Sequence, residues 1–258
     1  NFSTSGVYHT TSATATTATL NMIGNLIVNN STPNGTGVTS AYRRSSTTLT
    51  NYGSTSNNNC FYGGTPGPAN VLFYDGTNSD QTIAALKLRL SPRDANSVSE
   101  ALTFRSTTGS NAHYLKLDSL VATQCESGGT TVASPLISDD YYNIARFPFT
   151  GYPNNLSFPA TAPDIGANEF GGIPIDLSPP SITYTNLSNT PLTTNRTLTA
   201  TITDASGVAG GANKPRLYYR KTTDITYVFD NNPSQAGNDY TWTIDYAAVG
   251  GGSVTSGD

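Results

Sequence analysis

The chain of 258 residues carries 13 Lys and Arg against 17 Asp and Glu, a net charge of −4, and only 12% of its residues are charged. An ordinary soluble domain is about 25% charged. No basic run exceeds Arg43-Arg44, and no apolar stretch approaches the roughly 20 residues of a membrane helix, which argues against a nucleic-acid stripe and a transmembrane helix.

Thr, Ser, Asn and Gly stand where charge is missing. Thr is stiff at χ1, Ser and Asn offer competing local hydrogen bonds, and Gly loses backbone entropy, so all four disfavour helix. The 15 Tyr and the threonines favour strands, while Asn, the 24 Gly and the 15 Pro favour turns. An all-β protein with many turns is expected. Disorder is the competing reading, and the short alternating runs of Tyr, Phe, Leu and Ile count against it.

Residues 1–19 are small and polar, without a start methionine or a signal peptide, and the chain stops at Gly257-Asp258, soon after a strand-like segment. It reads as a segment of something longer. Residues 1–78 then run as short apolar bursts closed by turns, as in MIGNLIVNNSTPNGTG and NNNCFYGG. That rhythm suits stacked coils of short strands, although no strict period is visible. Asn at such turns tolerates the left-handed conformation and can hydrogen-bond its equivalent in the next coil. On a strand, Arg43 and Arg44 point to opposite faces, and either suits contact with an acidic sugar or a packing role.

Asp75 and Asp80 flank DGTNSD, a loop of hard oxygen ligands that reads either as a calcium site or as a solvated turn and helix cap; it lacks the spacing of an EF-hand. DQTIAALKLRL predicts a helix with Ile83, Leu86 and Leu90 on one face, Asp80 as N-cap and Ser91-Pro92 as its stop. Residues 94–170 are irregular. Gly171-Gly172 and Ser178-Pro179-Pro180 bracket a linker over 171–180.

After Pro180 the period becomes two. RTLTATITD turns Leu198, Ala200 and Ile202 inward and Thr197, Thr199, Thr201 and Thr203 outward. YTWTIDY does the same with Tyr240, Trp242 and Ile244, and SITYTNL, RLYYRK and ITYVFD add three more strands. Such alternation with turns between is the pattern of a sandwich. Trp242 is expected in its core rather than on a ligand platform. About five strands are visible where an immunoglobulin-like sandwich has about seven, so 181–258 reads as incomplete at its C-terminus.

Cys60 and Cys125 have no CxxC spacing, and with His9 and His113 the sole histidines a zinc site is not expected. A single disulfide and two separate buried thiols both remain open.

The stretch TIAALKLRLSPRDANSVSEALTF followed by PDIGANEF resembles the closing part of bacterial right-handed parallel β-helix proteins. Residues 93–99 (RDANSVS) and 164–170 (DIGANEF) carry the likeness. DDYYNIAR keeps Asp140 and Arg146 of a further family step but lacks its glycine, and Leu86 stands near the family's aromatic. DLSPPSITYTNLSNTPLTTNRTLTATITDASGV resembles the immunoglobulin-like module that follows such helices in large secreted proteins of the Bacteroidetes. The resemblance covers most of residues 20–258. It implies β-helix coils and a cap over 1–170, a sandwich over 181–258, an extracellular or outer-surface location, and export by the type IX secretion machinery through a C-terminal sorting domain that this sequence lacks. Asp118-Ser119-Leu120 also fits the short acceptor pattern of that phylum, which makes Ser119 a candidate O-glycosylation site or an ordinary turn.

No convergent catalytic set appears. Lyases need calcium-binding acids and a basic proton acceptor on one strand face, and hydrolases need two carboxylates about 5–10 Å apart. Few of the 17 acidic residues fall in residues 1–78. Arg93 with Asp94 reads as an ion pair or cap contact, and Asp164 and Glu169 as acceptors for backbone donors. The expected function is therefore a non-enzymatic stalk or adhesin that contacts carbohydrate. A polysaccharide lyase or glycoside hydrolase with its active coils upstream is the alternative, and cargo for a secretion or anchoring partner is a third reading. No catalytic residue, no cofactor besides calcium at Asp75 and Asp80, no nucleic acid and no membrane span are expected.

Overall fold

The computed structural model describes residues 1–14, 18–177, 179–204 and 207–249. The chain divides into two compact units, Asn1–Ile175 and Asp176–Asp258. It is mostly β, with one α-helix among the described residues. The expected linker 171–180 straddles the division, and its Ser178 and the C-terminal 250–258 lie outside the described residues.

In the first unit, β1 (Thr4–His9), β3 (Thr39–Arg44) and β5 (Asn70–Tyr74) pair in parallel, and β6 (Ser79–Asp80) closes that sheet antiparallel to β5. β2 (Leu26–Val28) and β4 (Cys60–Tyr62) form a second parallel pair. Isolated parallel bridges join Leu20 to Tyr52, Ile23 to Asn57 and Cys60 to Val98. Each of these parallel pairings joins a segment to one roughly three dozen residues further on, as Thr4 joins Thr39 at a separation of 35. Parallel neighbours require such long crossovers, because a hairpin turn can only reverse the chain.

Tyr42, Tyr52, Phe61, Phe73, Leu86 and Leu90 are fully buried in one cluster, with Met22, Ile27, Ala41 and Leu72. The helix α1 (Ile83–Leu90) supplies the two leucines, as the helical spacing predicts. Its start differs from the expected one. Thr82 is the N-cap, its hydroxyl accepting from the Ala85 N–H. Asp80 is instead held in β6, opposite Phe73, with its carboxylate on Arg89 at 2.5 and 2.8 Å. An ion pair to the last turn of the helix has displaced the capping role.

In the second unit, β8 (Arg196–Thr203) lies between β7 (Ser181–Tyr184) and β12 (Asp239–Ile244), with β11 (Ser234–Ala236) outside β12, all antiparallel. β9 (Leu217–Tyr219) and β10 (Val228–Asp230) form a separate antiparallel pair. Ala200, Ile202, Tyr240 and Trp242 are buried together, with Val208 and Leu217 against them. The threonines of β8 at 197, 199, 201 and 203 are exposed, so the period-two reading of that strand describes its faces.

Candidate functional site

The buried polar residues described in the first unit include three hydrogen-bonded groups. One lies along the stack of parallel strands. Asn59 Oδ1 accepts from the backbone N–H and the amide of Asn25 at 2.9 and 3.1 Å, and the Asn59 amide donates to Asp94 Oδ1 at 2.9 Å. Asp94 also accepts from the Tyr52 hydroxyl at 2.6 Å and from the Ser97 hydroxyl at 2.7 Å. Asp94 is fully buried and has φ +55°, in the left-handed region. Burial, reinforced by the Asp94 charge, pushes the Tyr52 hydroxyl far upward, so it stays a donor. Arg93 and Asp94 do not pair with each other. Arg93 donates to the Tyr52 carbonyl at 2.6 Å, and both residues thus hold the Tyr52 segment.

Arg44 sits fully buried with neutral partners. It donates to the Thr48 carbonyl, Asn51 Oδ1, the Tyr42 hydroxyl and His9 Nδ1 at 2.6–3.1 Å. A guanidinium has no acceptor, so His9 Nδ1 must accept and its proton sits on Nε2. Burial, and then the Arg44 charge, hold His9 below its ordinary value of 6.5. The two adjacent arginines thus do face opposite ways, and the inward one is tied into structure.

The third group is acidic. Asp164 accepts from the Ser127 and Phe170 N–H groups at 2.8 and 2.7 Å, and Glu126 from the Gly172 N–H at 2.7 Å. Glu169 accepts from the Phe147 and Asp164 N–H groups and lies 3.3 Å from Arg146 Nε. Asp140 accepts from the Tyr142, Ile144 and Glu169 N–H groups and the Asn168 amide. All four are buried. Burial, with the neighbouring Glu126 charge, pushes Asp164 up to about 8 despite its two N–H donors. Burial also raises Glu126. Burial works in the same direction on Asp140, but its four donors outweigh it and hold the carboxyl low. An open depression is lined by Asp164 and Arg146 together with Ile23, Gly24, Val132 and Ile137. A shifted carboxyl beside a depression is the usual mark of an acid–base site. Here every carboxylate oxygen of Asp164 and Glu169 already holds a donor, and Arg146 spans the Gly166 and Asp164 carbonyls. This matches the backbone-holding role expected for the two acids of DIGANEF.

The calcium candidates are equally engaged. Asp75 Oδ1 accepts from the Thr77 and Asn78 N–H groups, and Oδ2 from the Asn78 amide. Burial opposes ionisation of Asp75, yet those donors leave it below its ordinary value. Both Asp80 oxygens face Arg89. Among the described residues no group of three or more His, Cys, Asp and Glu has metal-holding geometry. Ser119 lies half-buried in a turn, where Asp118 Oδ1 accepts from the Leu120 N–H, and Leu120 is exposed.

Cys60 and Cys125 are free thiols, both fully buried and brought together in one cluster with Leu117 and Ile165. A hydrogen bond with Cys60, and then burial, push the Cys125 thiol strongly upward. Sequence spacing held no signal for this meeting across 65 positions. Comparison with protein-family models, curated proteins and solved structures yields no match.

Proposed function

We propose that residues 1–170 close a right-handed parallel β-helix, that 181–258 belong to an immunoglobulin-like sandwich, and that the protein is a secreted, non-enzymatic surface stalk or adhesin that contacts glycans. The observation that carries this reading is the commitment of the buried polar groups to the stack itself. Asn25, Asn59 and Asp94 link successive parallel segments, and Asp140, Asp164 and Glu169 hold backbone donors in the segment that follows them. The DIGANEF and RDANSVS resemblances imply the extracellular, type IX-exported setting.

The test is turnover by the full-length protein on plant, algal and bacterial polysaccharides, read as new reducing ends and as unsaturated products. No turnover is the expected result. Cleavage that disappears on substituting residues within 1–170 would overturn the reading in favour of a lyase or hydrolase.

The same setting makes a prediction for the thiol pair. Disulfides persist in oxidising compartments. In protein collected from the medium, Cys60 and Cys125 are expected to be joined: no thiol label after denaturation, and a mass two hydrogens lower than after reduction. Closing a loop of about 65 residues stabilises a fold by roughly 4 kcal/mol in the chain-entropy account, so reductant is expected to lower the urea midpoint. Two labelled thiols in secreted protein would refute the pairing.

A further inference from the structure

The outward member of the arginine pair has a setting unlike that of Arg44. Tyr8 on β1, Arg43 on β3 and Tyr74 on β5 are direct register partners. The Arg43 guanidinium carbon lies 5.5 Å from the centre of the Tyr8 ring and 5.2 Å from that of Tyr74. Tyr8 is 58% exposed, while Arg43 is half-buried between its neighbours. Arg43 makes no ion pair or hydrogen bond among the described residues, and its Nε is enclosed without a partner. The Nε is closed to solvent, so only the terminal nitrogens can meet another group, and a cation stacked on aromatic faces keeps those in-plane donors for it.

We propose that Tyr8, Arg43 and Tyr74 form a binding strip for a polysaccharide bearing uronate carboxylates. This rests on the extracellular glycan-contacting reading above. Three observations define the ligand. A carboxylate is the group that meets the planar N–H fork of a guanidinium in two parallel hydrogen bonds. The exposed Tyr8 ring offers the apolar surface that the C–H face of a sugar stacks on. The rungs repeat every ~4.8 Å across parallel strands, close to the length of one sugar unit, so a glycan chain running across the strands meets tyrosine, arginine and tyrosine in turn. One guanidinium in a chain of net charge −4 suits a single carboxylate at each site rather than the several sulfates that each repeat of a heavily sulfated chain carries, which need many basic contacts.

The test is affinity electrophoresis and calorimetry of the full chain against polygalacturonate, with dextran and heparin as comparators. Retardation by polygalacturonate alone is expected. Arg43→Gln is expected to weaken binding at least tenfold, Tyr8→Leu severalfold, and Arg43→Lys to restore only part, since lysine lacks the fork. Arg43 holds no other residue by a hydrogen bond, so circular dichroism of Arg43→Gln is expected to match the parent. Absent retardation, equal binding by Arg43→Gln, or equal binding to dextran or heparin would each overturn the strip. None of these would alter the turnover result, and turnover would leave the strip's binding data intact, so the two readings fail separately.

Discussion

Replacing Asp94 with Ala is expected to be the most damaging single substitution in the first unit. The carboxylate receives the Tyr52 hydroxyl, the Ser97 hydroxyl and the Asn59 amide, and Asn59 in turn receives Asn25. Removing it leaves three donors without their acceptor in an interior closed to water. Breaking a buried charged network in this way costs about 3–5 kcal/mol. Alanine adds strain at φ +55°, where asparagine and aspartate are tolerated. Asp94→Asn is expected to cost less, about 1–2 kcal/mol. Its oxygen can keep Asn59 and Ser97, and its amide can donate to a Tyr52 hydroxyl that has rotated to accept. Urea unfolding followed by circular dichroism reads the difference as a shift in midpoint at unchanged slope. Equal midpoints for the parent and Asp94→Ala would show that Asp94 does not tie these parallel segments together.

The second large effect is on pH. Asp164 has a folded value of about 8 against an ordinary 3.8, raised by burial and by the Glu126 charge. The folded state thus keeps a proton that the unfolded chain has already released. Its contribution to stability is whole below about pH 4 and is lost as pH rises through about 8. Glu126 is shifted the same way by burial. Three groups oppose this slope. Asp75 and Asp140 are depressed, so their contributions are present above 3.8 and disappear as acid protonates them. His9 lies below 6.5, so its contribution is present above 6.5 and fades as pH falls through its lowered value. The thermal midpoint is therefore expected to fall on moving from about pH 6 to about pH 9. Glu126→Gln removes the charge that repels ionised Asp164 and is expected to flatten that fall. A midpoint constant across this range, or an unchanged slope in Glu126→Gln, would remove Asp164 from the account.

Several features were legible in the residues themselves. Period-two alternation marked Ala200, Ile202, Tyr240 and Trp242 as buried and the β8 threonines as exposed. Helical spacing found Leu86 and Leu90, and the adjacency of Arg43 and Arg44 placed them on opposite faces. The suggestion that asparagines bond across neighbouring segments describes Asn25 and Asn59, which precede the paired strands β2 and β4. All of these follow from backbone geometry within a few residues, where side-chain direction repeats every two or 3.6 positions.

What the residues left open depends on pairing at long range. Alternation tells which face a side chain occupies, not which strand lies beside it. The offset of about three dozen residues between these parallel partners is irregular, because each crossover carries a turn or insertion of its own length, α1 among them. Only the folded stack shows that Asp80 answers Arg89 instead of capping α1, that His9 meets Arg44, that Cys60 meets Cys125, and that Tyr8 and Tyr74 enclose Arg43. Composition and period thus determined an all-β chain with known faces. The tertiary structure decided the neighbours across strands, since these are set by the summed geometry of the intervening turns, which no local pattern encodes.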